Sequence, residues 1–279
     1  MHLLAAFVLA STVTLVAGSP GLTQPPALVP TWTLEGFDAP ESVLVLDDGR
    51  LVVSNVTGEA DARDGTGYLS LVSAEGEVLQ QRWLTGLDAP KGLAVQGGVL
   101  HVADIDRVAR FDLASEERLE DVAVSGAGFL NDAAVLGEAG VLVSDSATGR
   151  VYLISGGEAE IWFESEAVAG LNGLFVEPGR ILVAAMDGHL YAIDRETRTH
   201  EVLVSELGNG DGIAALPGGG YVLSAWPGEL FYWDGAGELV PLADTREAPV
   251  YQNDLTVVDR RVYVPNWLPG TLTAWRTER

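Results

Sequence analysis

Along this chain, apolar runs of four or five residues alternate with turns rich in Gly, Asp and Arg, a pattern that predicts β-strands and no long helices. Six segments align: Glu41-Ser-Val-Leu-Val45, Lys91-Gly-Leu-Ala-Val95, Asn131-Asp-Ala-Ala-Val135, Asn172-Gly-Leu-Phe-Val176, Asp211-Gly-Ile-Ala-Ala215 and Asn253-Asp-Leu-Thr-Val257. Their first residues are 50, 40, 41, 39 and 42 positions apart. Each is followed by a second apolar strand, from Leu51-Val-Val-Ser54 in the first unit to Val262-Tyr-Val-Pro265 in the last. Third and fourth strands follow, such as His189-Leu-Tyr-Ala-Ile193 and Glu201-Val-Leu-Val204. A period near 40 with four strands per unit predicts an all-β, six-bladed β-propeller. The ends predict how it closes. The segment from Thr31 to Pro40 echoes that from Gln81 to Pro90, which is the fourth strand of the first unit. The sixth unit stops after its third strand, near Trp275, so the N-terminal strand around Trp32 is expected to complete the last blade and remove an open sheet edge.

Ahead of the repeat, Leu3 to Ala17 is almost wholly apolar and leads to Val16-Ala17-Gly18, a small-residue cleavage pattern. A run this short suits a signal peptide over residues 1–18 better than a membrane span, which needs about 20 residues. Export to the periplasm or the extracellular space is therefore expected, with an uncleaved anchor or a misassigned start as alternatives. The Pro/Gly-rich stretch 19–30 then reads as a tether, leaving 31–279 as the propeller. Composition narrows the chemistry. With no cysteine there is no disulfide framework, thiolate metal site or cysteine nucleophile. A net charge of −24 disfavours nucleic acid and anionic membranes as partners.

In a propeller the first strand of each blade lines the central channel, so residues at equivalent strand starts meet in a ring at one mouth. Here the ring is Glu41, Lys91, Asn131, Asn172, Asp211 and Asn253, every one polar. A solvated mouth would tolerate polar side chains of any kind, yet carboxylates and amides dominate. Their oxygens suit a hard cation, and calcium takes six to eight such ligands. Glu41 and Asp211 would supply negative charge, with Asn131 and Asn172 adding carbonyl oxygens. Magnesium fits less well because it keeps its waters, and zinc is not expected without cysteine. None of His101, His189 and His200 falls at a ring position, and His101, inside a second strand, reads as a core or inter-blade residue. There is no Gly-x-Ser-x-Gly elbow, which argues against a serine hydrolase.

The units containing Pro40-Glu41, Leu130-Asn131-Asp132, Leu171-Asn172-Gly173 and Gly210-Asp211-Gly212 resemble the gluconolactonase/senescence marker protein/luciferin-regenerating enzyme superfamily, whose architecture paraoxonases and diisopropylfluorophosphatase share. The resemblance spans roughly residues 31–279. It implies a central divalent metal, usually calcium, and hydrolysis of lactones or related esters. It also implies that Glu41, Asn172 and Asp211 bind the metal, that Asn131 does so directly or through water, and that Asp211 acts as base or nucleophile. Two positions depart from the pattern. Sugar-lactone members carry an Arg two residues before the Asn-Asp pair, where this chain has Phe129. The second is Lys91, the only lysine in the chain against 15 arginines. Its ammonium could act catalytically on a substrate carbonyl, carboxylate or developing oxyanion, could pair with Glu41 and partly replace the metal, or could simply pack its stem and reach water.

Loops between second and third strands should surround the same mouth. They place Met186, Trp226, Trp267 and Leu268 on the rim, an apolar wall for a small-molecule pocket in which Asn253 would also meet substrate. Blade 1 carries about ten extra residues here, Val56 to Thr66, either a mobile lid or a solvated excursion. Asn55-Val-Thr57 matches a glycosylation sequon, but a buried rim position argues against its use. The sequence thus supports an exported calcium-dependent hydrolase acting on an apolar lactone or ester. The rival is a non-catalytic propeller that binds a small ligand or a protein through the same face.

Overall fold

The structure, a computed structural model, describes residues 24–278. The expected signal segment 1–18 and the first part of the expected tether lie outside the described residues. Six antiparallel sheets form the blades of one propeller. Blade 1 runs outward from the axis through Pro40–Val45, Leu51–Asn55, Gly67–Val72 and Val78–Leu87. Blades 2 to 5 repeat this order from inner strands Pro90–Gln96, Leu130–Val135, Leu171–Val176 and Asn209–Ala215. In blade 6 the expected inner strand is interrupted around Asn253 and Asp254, leaving Tyr251–Gln252 and Thr256–Val258, both paired with Arg261–Leu268.

Strand Ala27–Glu35 closes the ring by pairing with Thr271–Glu278, in a register running from Ala27 opposite Glu278 to Glu35 opposite Thr271. The tether is therefore shorter than expected, because residues 27–30 already belong to this strand. Pro30 concealed it in the sequence, yet an outermost strand can carry a proline where no partner needs its missing N–H. Trp32 packs on Tyr263 of the same blade, with ring centroids 5.9 Å apart.

The core is divided among the blade interfaces. Val52, Leu69 and Trp83 of blade 1 meet Leu93, Leu100 and Phe111 of blade 2, and comparable apolar clusters fill the other five interfaces around the ring. Each blade thus buries both faces against its neighbours, which is why the strands read as continuous apolar runs.

One irregularity positions the site. In blades 1 to 5 the inner strand bulges so that two residues oppose one on the next strand, at Glu41-Ser42, Lys91-Gly92, Asn131-Asp132, Asn172-Gly173 and Asp211-Gly212. In blades 1, 3 and 5 a serine opposite the bulge accepts the displaced N–H, from Ser42 to Ser54 Oγ (2.8 Å), Asp132 to Ser144 Oγ (2.9 Å) and Gly212 to Ser224 Oγ (2.8 Å). The second bulge residues form a tighter inner ring with Asp254. A Cβ on Gly173 would lie 2.0 Å from the Asp211 carbonyl oxygen, and one on Gly92 would lie 2.4 Å from the Asp132 Cα, so these positions admit no side chain. Gly173→Ala should therefore destabilise the propeller by about 3 kcal/mol or more, at the severe end of overpacking. Gly97→Ala, in a surface turn at φ +59° with open space around it, should cost only about 1 kcal/mol. Chemical denaturation of the two variants checks the contrast.

Candidate functional site

All six ring residues arrive at one mouth and are buried there, Glu41, Lys91, Asn131, Asn172, Asp211 and Asn253 each being 2–6% exposed. They floor a cavity of about 430 Å³ whose walls include Phe129, Met186, Trp226 and Trp267. Trp226 stands edge-on to Trp267, with ring centroids 6.2 Å apart, and to Tyr251 at 5.5 Å. The expected rim residue Leu268 is half exposed and does not line the cavity. Residues Gly58, Glu59 and Ala60 of the extra blade 1 loop do line it, as do Asn209 and Gly210. A larger groove lies elsewhere, on blade 4 between Glu177 and His200, and shares no residue with the ring.

The amide orientations give the floor its chemistry. Asn131 Nδ2 donates to Ser146 Oγ (3.1 Å), Asn172 Nδ2 to Asp211 Oδ1 (2.9 Å) and Asn253 Nδ2 to the Pro40 carbonyl (3.0 Å). Each amide nitrogen is thus spent on a neighbour, while its Oδ1 is left without a hydrogen-bond partner among the described residues. Glu41 Oε2 accepts the Ser42 hydroxyl (2.8 Å), leaving Oε1, and Asp211 likewise keeps Oδ2. Five uncommitted oxygens from five blades are a donor set for a hard cation. Among the described residues no three His, Cys, Asp or Glu are placed to hold a metal by themselves, so a cation here would need the amide oxygens as well.

Two further acids lie in the tight ring, and the sequence reading did not single them out. Asp132 accepts the Leu174 N–H of the next blade (2.6 Å) and the Ala133 N–H (2.7 Å). Asp254 Oδ2 lies 2.9 Å from the same Ser42 Oγ, so one hydroxyl, with a single proton to give, bridges Asp254 and Glu41. The pairs Asn131-Asp132 and Asn253-Asp254 were the available signal, but regular alternation would turn their second residues away from the axis.

Four carboxylates therefore share a dry centre with one ammonium. Burial, opposed by the Lys91 charge and reinforced by Asp254, pushes Glu41 up to about 8. Burial pushes Asp254 up to about 6. Asp211 is raised by burial and then by Glu41, Asp254 and Asp132, while Asp132 is raised by burial and then by Asp254. Ionised together with Lys91, this centre carries three uncompensated negative charges, of which a divalent cation removes two.

Lys91 itself faces the extra loop. Its Nζ donates to the Ala60 carbonyl at 2.7 Å and to the Ala89 carbonyl at 3.1 Å, and lies 4.3 Å from the Phe129 ring centroid. No carboxylate among the described residues lies within 4.0 Å of it, so the direct Glu41 pair considered from the sequence does not form, although their charges still act on each other. Asn55 is fully buried, its amide donating to the Val53 carbonyl and Ser70 Oγ, which closes the sequon to modification in the folded protein. His101 is buried in its blade, with Nδ1 3.2 Å from the Val99 carbonyl oxygen.

Together the fold and site define a six-bladed propeller with a polar axial cavity. No protein-family description matches the chain, and no curated protein matches it by sequence. Solved structures do match in fold. A proposed gluconolactonase aligns over 92% of this chain and 94% of its own, with a TM-score of 0.66 and 15% identity. Virginiamycin B lyase from Staphylococcus aureus, in its catalytically inactive form with quinupristin, aligns over 88% and 98% at TM-score 0.61 and 10% identity. A chain of a nidogen/laminin complex aligns over 75% and 86% at TM-score 0.63 and 15% identity. The architecture thus houses both enzymes and an interaction domain.

The raised carboxylates give a pH signature. Folding makes them harder to ionise, so the penalty is absent below about pH 4, where folded and unfolded chains are both protonated. It grows as pH rises through the value near 8 for Glu41. Chelator-treated protein should therefore lose thermal stability between pH 5 and 8, and any divalent cation that fills the ring should raise the melting temperature more at pH 8 than at pH 5. Glu41→Gln should flatten both trends, as differential scanning calorimetry would show.

Proposed function

We propose that this protein is an exported hydrolase that binds calcium at the channel mouth and cleaves a lactone or related ester with apolar substituents. The observation that carries this reading is the ring of five uncommitted oxygens, two of them from Glu41 and Asp211, beside the further buried carboxylates of Asp132 and Asp254. Glu41, Asn172 and Asp211 would hold the ion, with Asn131 beside them and Asn253 completing the ring toward substrate. When bound, the cation supplies a Lewis acid for a carbonyl oxygen. Asp211 has one oxygen held by the Asn172 amide and the other without a hydrogen-bond partner, which leaves that oxygen to take a proton from attacking water or to attack the acyl carbon itself. Phe129, Met186, Trp226 and Trp267 provide apolar contacts that exclude water from the ester. Phe129 occupies the position where the sugar-lactone pattern has an Arg, which favours a neutral, hydrophobic substrate over a polyhydroxylated one.

A second reading, a binding propeller without catalysis, is favoured by the same Phe129 and by a Lys91 ammonium already committed to protein groups. The two readings separate experimentally. Calorimetric titration of chelator-stripped protein should show one calcium site filling below about millimolar, lost in Glu41→Gln. A panel of aliphatic and aromatic lactones and aryl esters should then reveal calcium-dependent turnover that falls about 10²–10⁴-fold in Asp211→Asn. Calcium binding without turnover of any such compound would favour the binding propeller, and no calcium binding would remove the hydrolase reading.

A further inference from the structure

Lys91 is 2% exposed, and the floor it stands on is crowded with acids, yet its ammonium turns toward a loop. That loop, residues 57–66, is the insertion that distinguishes blade 1 from the other five. At its two ends the loop is tied by the Thr57 N–H to the Asp38 carbonyl (3.2 Å) and by Arg82 to the Thr66 carbonyl (2.8 Å), and between them its other fastenings lie on the outside. Arg63 pairs with Asp106 of blade 2 at 2.9 Å, with both side chains about half exposed. The Gly65 N–H donates to Asp88 Oδ1 at 2.9 Å, also at the surface. Such exposed contacts hold a loop weakly, because water and salt compete for them. The bond from Lys91 Nζ to the Ala60 carbonyl is charge-assisted, partly buried and 2.7 Å long, and it grips the loop next to Gly58 and Glu59, which line the cavity. Below it, the Phe129 ring and the Ala89 carbonyl fix the ammonium from the other side. At the root of the loop, Val56, Ala89 and Ile105 form a small apolar cluster with Trp267 packed against it, so the fastening continues into the cavity wall.

We propose that Lys91 is a positioning residue that holds loop 57–66 shut across the cavity and thereby sets the size and charge of the ligand admitted. With the loop held, the cavity keeps its volume of about 430 Å³ and gains the Glu59 carboxylate as part of its wall. Compact neutral molecules are favoured under that lid, while bulky or anionic ones are excluded. With the ammonium removed, the middle of the loop is restrained only by surface contacts between its anchored ends, and the entrance widens. This concerns entry to the cavity and not what happens inside, so it stands or falls separately from the hydrolase reading.

The absence of cysteine provides a direct test. Asn209→Cys places one thiol on the cavity wall outside the ring. In that background, methyl methanethiosulfonate should label readily and fluorescein maleimide, bulky and anionic, at least tenfold more slowly than at a surface cysteine. Lys91→Met, which keeps the stem and removes the charge, should raise maleimide labelling at least tenfold with little change for the small reagent. It should also speed tryptic cleavage after Arg63. Lys91→Arg should restore most of the discrimination. Replacing residues 58–64 with two glycines should abolish discrimination with Lys91 intact, which keeps the test decisive if Lys91→Met fails to fold. An unchanged ratio of the two labelling rates in folded Lys91→Met, or in the shortened loop, would overturn the proposal.

Discussion

Six sheets packed face to face around one axis bring their inner strands so close that neighbouring backbones almost touch. At Gly173 and Gly92 a single carbon cannot be accommodated, and elsewhere in the same tight ring the side chains that do fit reach into the next blade for a partner. The bulge in five of the six inner strands is the local response to this crowding. It lifts one residue to the mouth, tucks the next into the contact between blades, and in alternate blades hands the orphaned N–H to a serine hydroxyl. The polar ring is therefore a product of how the core packs, with the same close approach supporting the apolar interfaces outside and the oxygen-lined floor inside.

Crowding also accounts for the electrostatics. Side chains held this tightly cannot recruit water, so burial raises Glu41, Asp132, Asp211 and Asp254 above their ordinary range, and the Asp254 charge raises the other three further. Buried like charges are costly unless something compensates them. Here the amide nitrogens of Asn131 and Asn253 are spent on Ser146 and the Pro40 carbonyl, and of the three only Asn172 donates to a floor carboxylate, Asp211, so the amides offset little of the negative charge.

Much of this was legible in the sequence, for reasons that differ from one feature to another. The repeat revealed the blades because each must present two apolar faces, and the echo between the segments around Trp32 and Trp83 revealed the closing strand. The beginning of that strand was hidden by Pro30, which a central strand would not tolerate. The first ring residues were legible because they recur at equivalent positions. Asp132 and Asp254 were not, since alternation misassigns both residues of a bulge, and the interruption of the blade 6 inner strand at Asn253-Asp254 was missed for the same reason. The direction of Lys91 was also hidden. Its partners are main-chain carbonyls at Ala60 and Ala89, and a carbonyl leaves no trace in the identity of the residue that bears it.

The placement of that one lysine reaches beyond the cavity. Every other basic side chain apart from histidine is an arginine, so the described surface carries no primary ε-amine at all. Reagents and enzymes that modify proteins through surface lysines, among them succinimidyl esters, aldehyde fixatives and acetyltransferases, meet guanidinium groups and carboxylates here. The side chains of the folded propeller are thus chemically quiet toward a whole class of acylating and cross-linking chemistry, and the lone ε-amine is shielded by the blade 1 loop, the Ala89 carbonyl and the ring of Phe129.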